Sequence, residues 1–348
     1  MSQWAKNGQS LTSISDDLKH FATKKIIGLN AETLQSFCQM ITASNLKEIS
    51  GSASEGKIFV PELYVDRQGV GNHLDNWLTQ NQRNTYFALV GESGHGKTNL
   101  MCFHAKRLQD QYFVLFYSAS RLVKNSLIET IVNDFEWEFR QTRQLAYIVE
   151  RLDDITQDHN KELIIFIDGL DEHSGSREEI KKELIELAKK LETRSVRICI
   201  SCKAFDWREF VIEGNQYKNL FAESIYSPPP PSSDLDEKKI GVWVGNFTND
   251  ELEKAFQKYK TLFLIAGQLT GTTKVECQNP LMLRFVSEVY SNATVLPNDM
   301  SNTEVFNLYW QRKIGKIPRN YRNPSRLILG KLAEICVDNN VKQVSTNH

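Results

Sequence analysis

The residues whose types and spacing could do chemistry begin with Gly91-Glu92-Ser93-Gly94-His95-Gly96-Lys97-Thr98. They fit G-x-x-x-x-G-K-[ST], with an apolar run before them (86–90) and a helix-compatible run after (99–108). Polyphosphate is the group such a loop suits. Glycines at 91, 94 and 96 carry no Cβ, so backbone N–H groups can turn inward and the chain can approach phosphate oxygens closely. A helix that starts at the phosphates adds its positive dipole end. Lys97 brings charge to β- and γ-phosphate oxygens, and the Thr98 hydroxyl brings an oxygen to Mg2+. The stretch is a P-loop.

A second constellation follows the apolar run 163–167, which ends in Asp168-Gly169-Leu170-Asp171-Glu172. An apolar strand running into an aspartate puts that carboxylate at the carboxyl edge of a parallel sheet, where a P-loop also opens. Asp168 is therefore the expected Mg2+ partner, direct or through water. Asp171 or Glu172, just beyond, could orient an attacking water, and capping of a helix would satisfy Asp171 equally well. The run 196–201 leads into Cys202-Lys203, a cation that could reach a γ-phosphate; an exposed loop lysine is the competing account. Ahead of the P-loop strand, Tyr64-Val65-Asp66-Arg67 forms an arm that either lies against a nucleotide base or is a surface strand with an exposed arginine.

The elements that must position these groups alternate. Strands at 86–90, 112–118, 163–167 and 196–201 are separated by helical patterns near 126–139, 146–155 and 177–192, which argues an α/β fold with a parallel sheet covered on both faces. Residues 29–49 read as an amphipathic helix that either packs on the downstream chain or docks a partner. A proline run, 228–231, forms a stiff spacer. Beyond it the composition turns helical, with a capping box at Thr248 and Glu251 and with Pro280 at a first-turn position. The organisation expected is an N-terminal helical segment (1–56), a nucleotide-binding core (57–226), a linker (227–241), a helical lid (242–296) and a last region (297–348).

Composition limits the rest. The 348 residues are 41% hydrophobic, with 42 basic and 43 acidic side chains for a net charge of −1, so no global footprint for nucleic acid exists. Lysines 181, 182, 189 and 190 resemble a basic patch, but Glu178 and Glu186 stand four residues before lysines, the pairing of a solvated helix face. The six cysteines are scattered. Cys199 and Cys202 form a C-x-x-C, yet on a strand an offset of three points the thiols to opposite faces, which argues against redox or zinc chemistry. No apolar run approaches the ~20 residues that cross a bilayer, and no signal peptide opens the chain. These features predict a reduced, cytoplasmic protein.

Together these residues resemble the NACHT branch of the STAND NTPases, the switch-type P-loop ATPases of innate-immune sensors and bacterial anti-phage proteins. The P-loop, Asp168-Gly169-Leu170-Asp171-Glu172, the strand ending in Lys203, Asn279-Pro280-Leu281-Met282-Leu283 and the arm ending in Arg67 carry the likeness. It implies a P-loop NTPase three-layer sandwich, a helical lid and the start of a winged-helix domain, with ATP or ADP and Mg2+ as ligands. It further implies that Pro280 contacts adenine, that Asp171, Glu172 and Lys203 serve hydrolysis, and that the active state is a homo-oligomer or recruits a partner sensor or effector. Relatives carry arginine where Lys203 stands; lysine keeps the charge without the bidentate fork. Relatives also continue into a repeat-built sensor, so the resemblance implies a truncated chain or one completed by another polypeptide. A mechanical ATPase of the broader AAA type, with a finger in trans from Arg194, Arg197 or Arg208, and a non-hydrolysing ATP-binding module are the alternatives.

Overall fold

The structure is a computed structural model that describes residues 29–80, 84–123, 126–139, 145–192, 194–212, 219–228 and 240–338. Residues 229–231 of the proline spacer and residues 1–28 lie outside the described residues, as do the expectations placed on them. The chain divides into two compact units, Met1–Gly245 and Asn246–His348.

The first unit is organised by a sheet of β1 (Tyr86–Gly91), β2 (Phe113–Ser118), β3 (Leu163–Asp168), β4 (Val196–Lys203) and β5 (Val242–Trp243). Every pairing is parallel, and the order is β2-β3-β4-β1-β5. The apolar runs become strands because both of their faces are covered. One face, with Phe87, Leu89, Phe116, Phe166 and Cys199, packs on Leu74 and Trp77 of α2 (Gln68–Thr79) and Leu100, Met101 and Ala105 of α3 (Lys97–Leu108). The other face, with Val90, Leu115, Ile165, Ile198 and Cys202, packs on the helices that come after β2 and β3. These are α4 (Glu129–Phe139), α5 (Leu145–His159) and α6 (Arg177–Leu191), joined by α7 (Ala204–Val211) and α8 (Leu220–Glu223). Each fully buried Leu, Ile or Phe stabilises this arrangement by roughly 1.5–3 kcal/mol. Cys199 and Cys202 fall in separate core clusters and both thiols are free, as their offset on a strand requires.

The amphipathic helix expected near 29–49 is α1 (Ala31–Ile49), started by a reciprocal capping box between Asn30 and Thr33. Of its two anticipated fates it takes the first. Leu34, Phe37 and Cys38 join the sheet core. Thr42 Oγ1 donates to the Val114 carbonyl at 2.7 Å and Asn45 Nδ2 to that of Phe116 at 2.7 Å, so α1 satisfies carbonyls along the outer edge of β2.

One strand was not expected. Val242–Trp243, read from sequence as the start of the helical part, pairs with Leu89 and Val90 of β1, and Val244 continues the contact by donating to the Val90 carbonyl at 2.7 Å. Two residues are too few to display strand alternation, so only the sheet edge reveals them.

The second unit is helical: α9 (Asn249–Phe263), α10 (Gly271–Glu276), α11 (Pro280–Val289), α12 (Asn302–Lys316) and α13 (Arg319–Asp338). The Thr248–Glu251 capping box starts α9, and Pro280 is the first residue of α11, behind an Asn279 cap that accepts from the Leu281 and Met282 amides. Pro324 lies inside α13, where it has no N–H to donate to the turn before it. No helix among the described residues is long and apolar enough to cross a membrane.

Candidate functional site

The strand register puts the groups singled out by sequence on one edge. Gly91, at the end of β1, stands opposite Lys203 at the end of β4, and Ile167 of β3 stands opposite Ile200, which sets Asp168 beside Ser201. Because β4 lies between β1 and β3, its terminal cation falls between the P-loop and the Asp168 carboxylate.

The loop is shaped by its glycines. Gly94 (φ +86°) and Gly96 (φ +84°) adopt the left-handed conformation that a Cβ disfavours. Gly91 serves a different end: a Cβ there would collide with the Val244 carbonyl oxygen. The segment after β5 thus lies directly against the loop, and two side chains fix it. His95 Nδ1 lies 2.9 Å from the Val244 oxygen, an acceptor only, so this nitrogen carries the proton and donates. Arg67 Nη1 donates to the carbonyls of His95 at 3.3 Å and Gly245 at 3.0 Å. Arg67 is buried, so the reading of an exposed arginine on a surface strand is corrected. Its guanidinium braces backbone carbonyls of the loop and of residue 245, partners that sequence spacing cannot reveal.

Lys97, the first residue of α3, donates from Nζ to the carbonyls of Gly91 at 2.7 Å and Glu92 at 2.9 Å. Burial lowers its pKa, while the nearby Asp171 and Asp168 charges oppose that shift. Glu92 and Ser93 are exposed at the rim of the loop.

Asp168 is buried, accepts from Ser201 Oγ at 2.6 Å, and is also hydrogen-bonded by the Thr98 side chain. Burial pushes its pKa up to about 6, against the pull of those two hydrogen bonds and with help from the Glu172 charge. A carboxylate and a hydroxyl held together are hard oxygen donors, and burial is what chiefly raises the pKa of this carboxylate. That donor set fits Mg2+. Gly169, at φ +73°, turns the chain sharply and its amide donates to Ser201 Oγ at 2.8 Å. Ser201 therefore ties down both Asp168 and the turn after it. A hydroxyl within the apolar run 198–202 was the signal for this residue.

The next residues form a single 3-10 turn, Leu170–Glu172. Asp171 accepts from the Lys203 amide at 3.0 Å and from Lys203 Nζ at 2.7 Å, and its side chain is 4% exposed. Lys203 is thus no free loop lysine. Burial depresses its pKa, but the Asp171 hydrogen bond and the Asp171 and Glu172 charges outweigh that and raise it. Glu172 is the open carboxylate, 45% exposed and 3.9 Å from Lys203 Nζ.

Two candidate trans fingers are committed within the chain. Arg197 is buried, with Nε 2.8 Å from Glu162 and Nη1 on the Trp77 carbonyl, and Arg194 Nη1 lies 2.8 Å from Asp153. Arg208 is exposed on α7. Lys190 pairs with Glu186 at 3.8 Å, the solvated-face arrangement that its spacing predicts. Pro280 belongs to the second unit.

Residues 87–209 match the model of the ATPase family associated with various cellular activities (AAA). This stretch is similar to AAA-type P-loop ATPase domains. Among curated proteins none matches the sequence. Solved structures similar to the chain include a Walker-type ATPase of Pyrococcus abyssi, at 13% identity and a TM-score of 0.49, covering 78% of this chain and 75% of that one. The Orc1 protein of Aeropyrum pernix, solved in complex with DNA, is similar at 12% identity and a TM-score of 0.41, covering 78% and 71%. A RuvB variant of Thermotoga maritima is similar at 12% identity and a TM-score of 0.36, covering 80% and 83%. The matched stretch runs from β1 into α7 and so contains the P-loop, Asp168, the Leu170–Glu172 turn and Lys203.

Proposed function

We propose that the chain is a cytoplasmic ATP- and Mg2+-binding regulatory NTPase of the NACHT type, a nucleotide-dependent conformational and oligomerisation switch in antiviral or signalling defence. The observation that carries this reading is the hydrogen bond between Thr98 and Asp168, which joins the start of the P-loop helix to the end of β3. In this reading the amides of residues 91–97 and the Lys97 ammonium bind the β- and γ-phosphates, and Arg67 supports the loop from behind through His95. Thr98 and Asp168 hold Mg2+, which when bound supplies charge neutralisation to the phosphoryl oxygens. Glu172, the open carboxylate of the turn, orients water, and Lys203 meets the terminal phosphate. Turnover is slow, as suits a switch that persists in one state.

The test is the size of the purified chain by light scattering with Mg2+ and either a non-hydrolysable ATP analogue or ADP. The switch reading expects a larger species that persists with the analogue and is absent with ADP; one size in both contradicts it. The match of residues 87–209 to the AAA family favours a second reading, a mechanical ATPase completed by a neighbour's arginine. Arg208, exposed on α7, is the finger to test. Under this reading hydrolysis per chain rises with protein concentration in the wild type and not in Arg208→Ala.

A further inference from the structure

Arg177 is the first residue of α6, where the helix dipole disfavours a cation. Its guanidinium nevertheless gathers contacts from two other elements. Nη1 donates to the Leu170 carbonyl at 3.3 Å and Nη2 to the Asp171 carbonyl at 2.6 Å, so it grips the 3-10 turn by its backbone. It also meets α7: Asp206 and Glu209 each lie 3.7 Å away, and the Phe210 ring centroid lies 5.5 Å from the guanidinium carbon.

These two elements carry the two ends of one ion pair. Asp171 sits in the gripped turn, and α7 begins at Ala204, the residue after Lys203. A three-residue 3-10 turn that starts at a left-handed glycine has little stability of its own. Its orientation therefore depends on outside bonds, those from Ser201 at its start and Arg177 at its end. Asp171 is also ill suited to activate water. Both of its oxygens accept from Lys203, and it is almost wholly covered.

We propose that Arg177 is a positioning residue: it locks the Leu170–Glu172 turn to α7, so that Asp171 holds the Lys203 ammonium at one place on the sheet edge, where it distinguishes a nucleoside triphosphate from a diphosphate. The inference rests on the nucleotide-binding reading above. Asp171 serves as the holder of the lysine, and Glu172 remains the carboxylate for water. Lysine at 177 would keep the charge but lose the fork that reaches two carbonyls at once.

The test compares affinities for a non-hydrolysable ATP analogue and for ADP, both with Mg2+, by titration calorimetry. Wild type prefers the triphosphate. In Arg177→Met that preference falls about tenfold, the worth of one charge-assisted hydrogen bond. Lys203→Met shows the same fall, and the double variant falls no further than Lys203→Met alone. Arg177→Lys is intermediate. A merely structural arginine would instead lower both affinities together and add its effect to that of Lys203→Met, and either result overturns the proposal. So does a wild type that binds both nucleotides equally, with nucleotide binding itself left standing. A wild type that binds neither overturns the nucleotide reading as well. Should Arg177→Met fail to fold, Asp171→Asn, which keeps the turn and weakens the hold on Lys203, must reduce the preference in the same way.

Discussion

The phosphate side of the site and its carboxylate side are built in opposite ways. The P-loop takes its shape from consecutive residues, with Gly94 and Gly96 in left-handed conformations and Lys97 bonded back to the carbonyls of Gly91 and Glu92. The carboxylate side is assembled from a distance: Ser201 on Asp168 and Gly169, Lys203 on Asp171, and Arg177 on the turn between them. A local loop is specified by which residues can adopt its dihedral angles. An assembled cluster is specified by the register that brings its members together, so it fails gradually as partners are removed.

That contrast orders the experiments. Asp168→Asn keeps the shape but removes the charge of the Thr98–Asp168 donor pair, and it should reduce Mg2+-dependent nucleotide affinity by at least about 100-fold, the upper end of what loss of a supporting ligand does. An effect below tenfold would show that Asp168 does not meet the metal. Gly96→Ala forces a Cβ into a left-handed position at roughly 1–2 kcal/mol, so nucleotide affinity should fall about tenfold while the melting temperature moves by only a few degrees. Equal affinity would mean that the loop is not locally specified.

The third experiment concerns His104, on the same helix as Lys97. It is 2% exposed, neither ring nitrogen has a hydrogen-bond partner among the described residues, and burial lowers its pKa to about 4, with the Arg107 charge adding to the effect. The unfolded chain binds this proton near pH 6.5 and the folded chain near 4. The fold is therefore at full strength above the unfolded value and loses roughly 2–3 kcal/mol as pH falls between the two. Urea titrations at pH 7.5 and 5 should show that loss under way in the wild type and a smaller one in His104→Leu. Identical losses would remove His104 as the cause.

The smallest effect is expected at Ser201, whose hydroxyl lowers the pKa of Asp168. Ser201→Ala should destabilise by about 1–3 kcal/mol and leave Asp168 more easily protonated. Mg2+-dependent nucleotide binding is expected to weaken in the wild type as pH falls toward about 6, and in the variant it should weaken from a higher pH. An unchanged profile would show that the serine does not act on the carboxylate.

The same contrast explains what could be read in the sequence. The P-loop, the aspartate ending β3, the capping box of α9 and the first-turn proline of α11 are short-range patterns, and the residues that produce them are close together in the chain. Strand existence was equally legible, because β1 to β4 are apolar runs buried on both faces. The brace from Arg67 to His95 and Gly245 and the clasp from Lys203 to Asp171 were not, since they join residues far apart in the chain whose meeting depends on strand order. Nor was β5, whose two residues show no period and pair only because the free edge of β1 is available.

The central claim is that Lys97 and Asp168 face one phosphate-bearing ligand. It is tested most directly by measuring Mg2+-ATP-analogue affinity in the wild type and in Lys97→Ala by equilibrium titration. The account predicts clear saturable binding in the wild type and a loss of at least about tenfold in the variant, the scale of one charged hydrogen bond removed. Equal affinities, or no binding by the wild type, would contradict it.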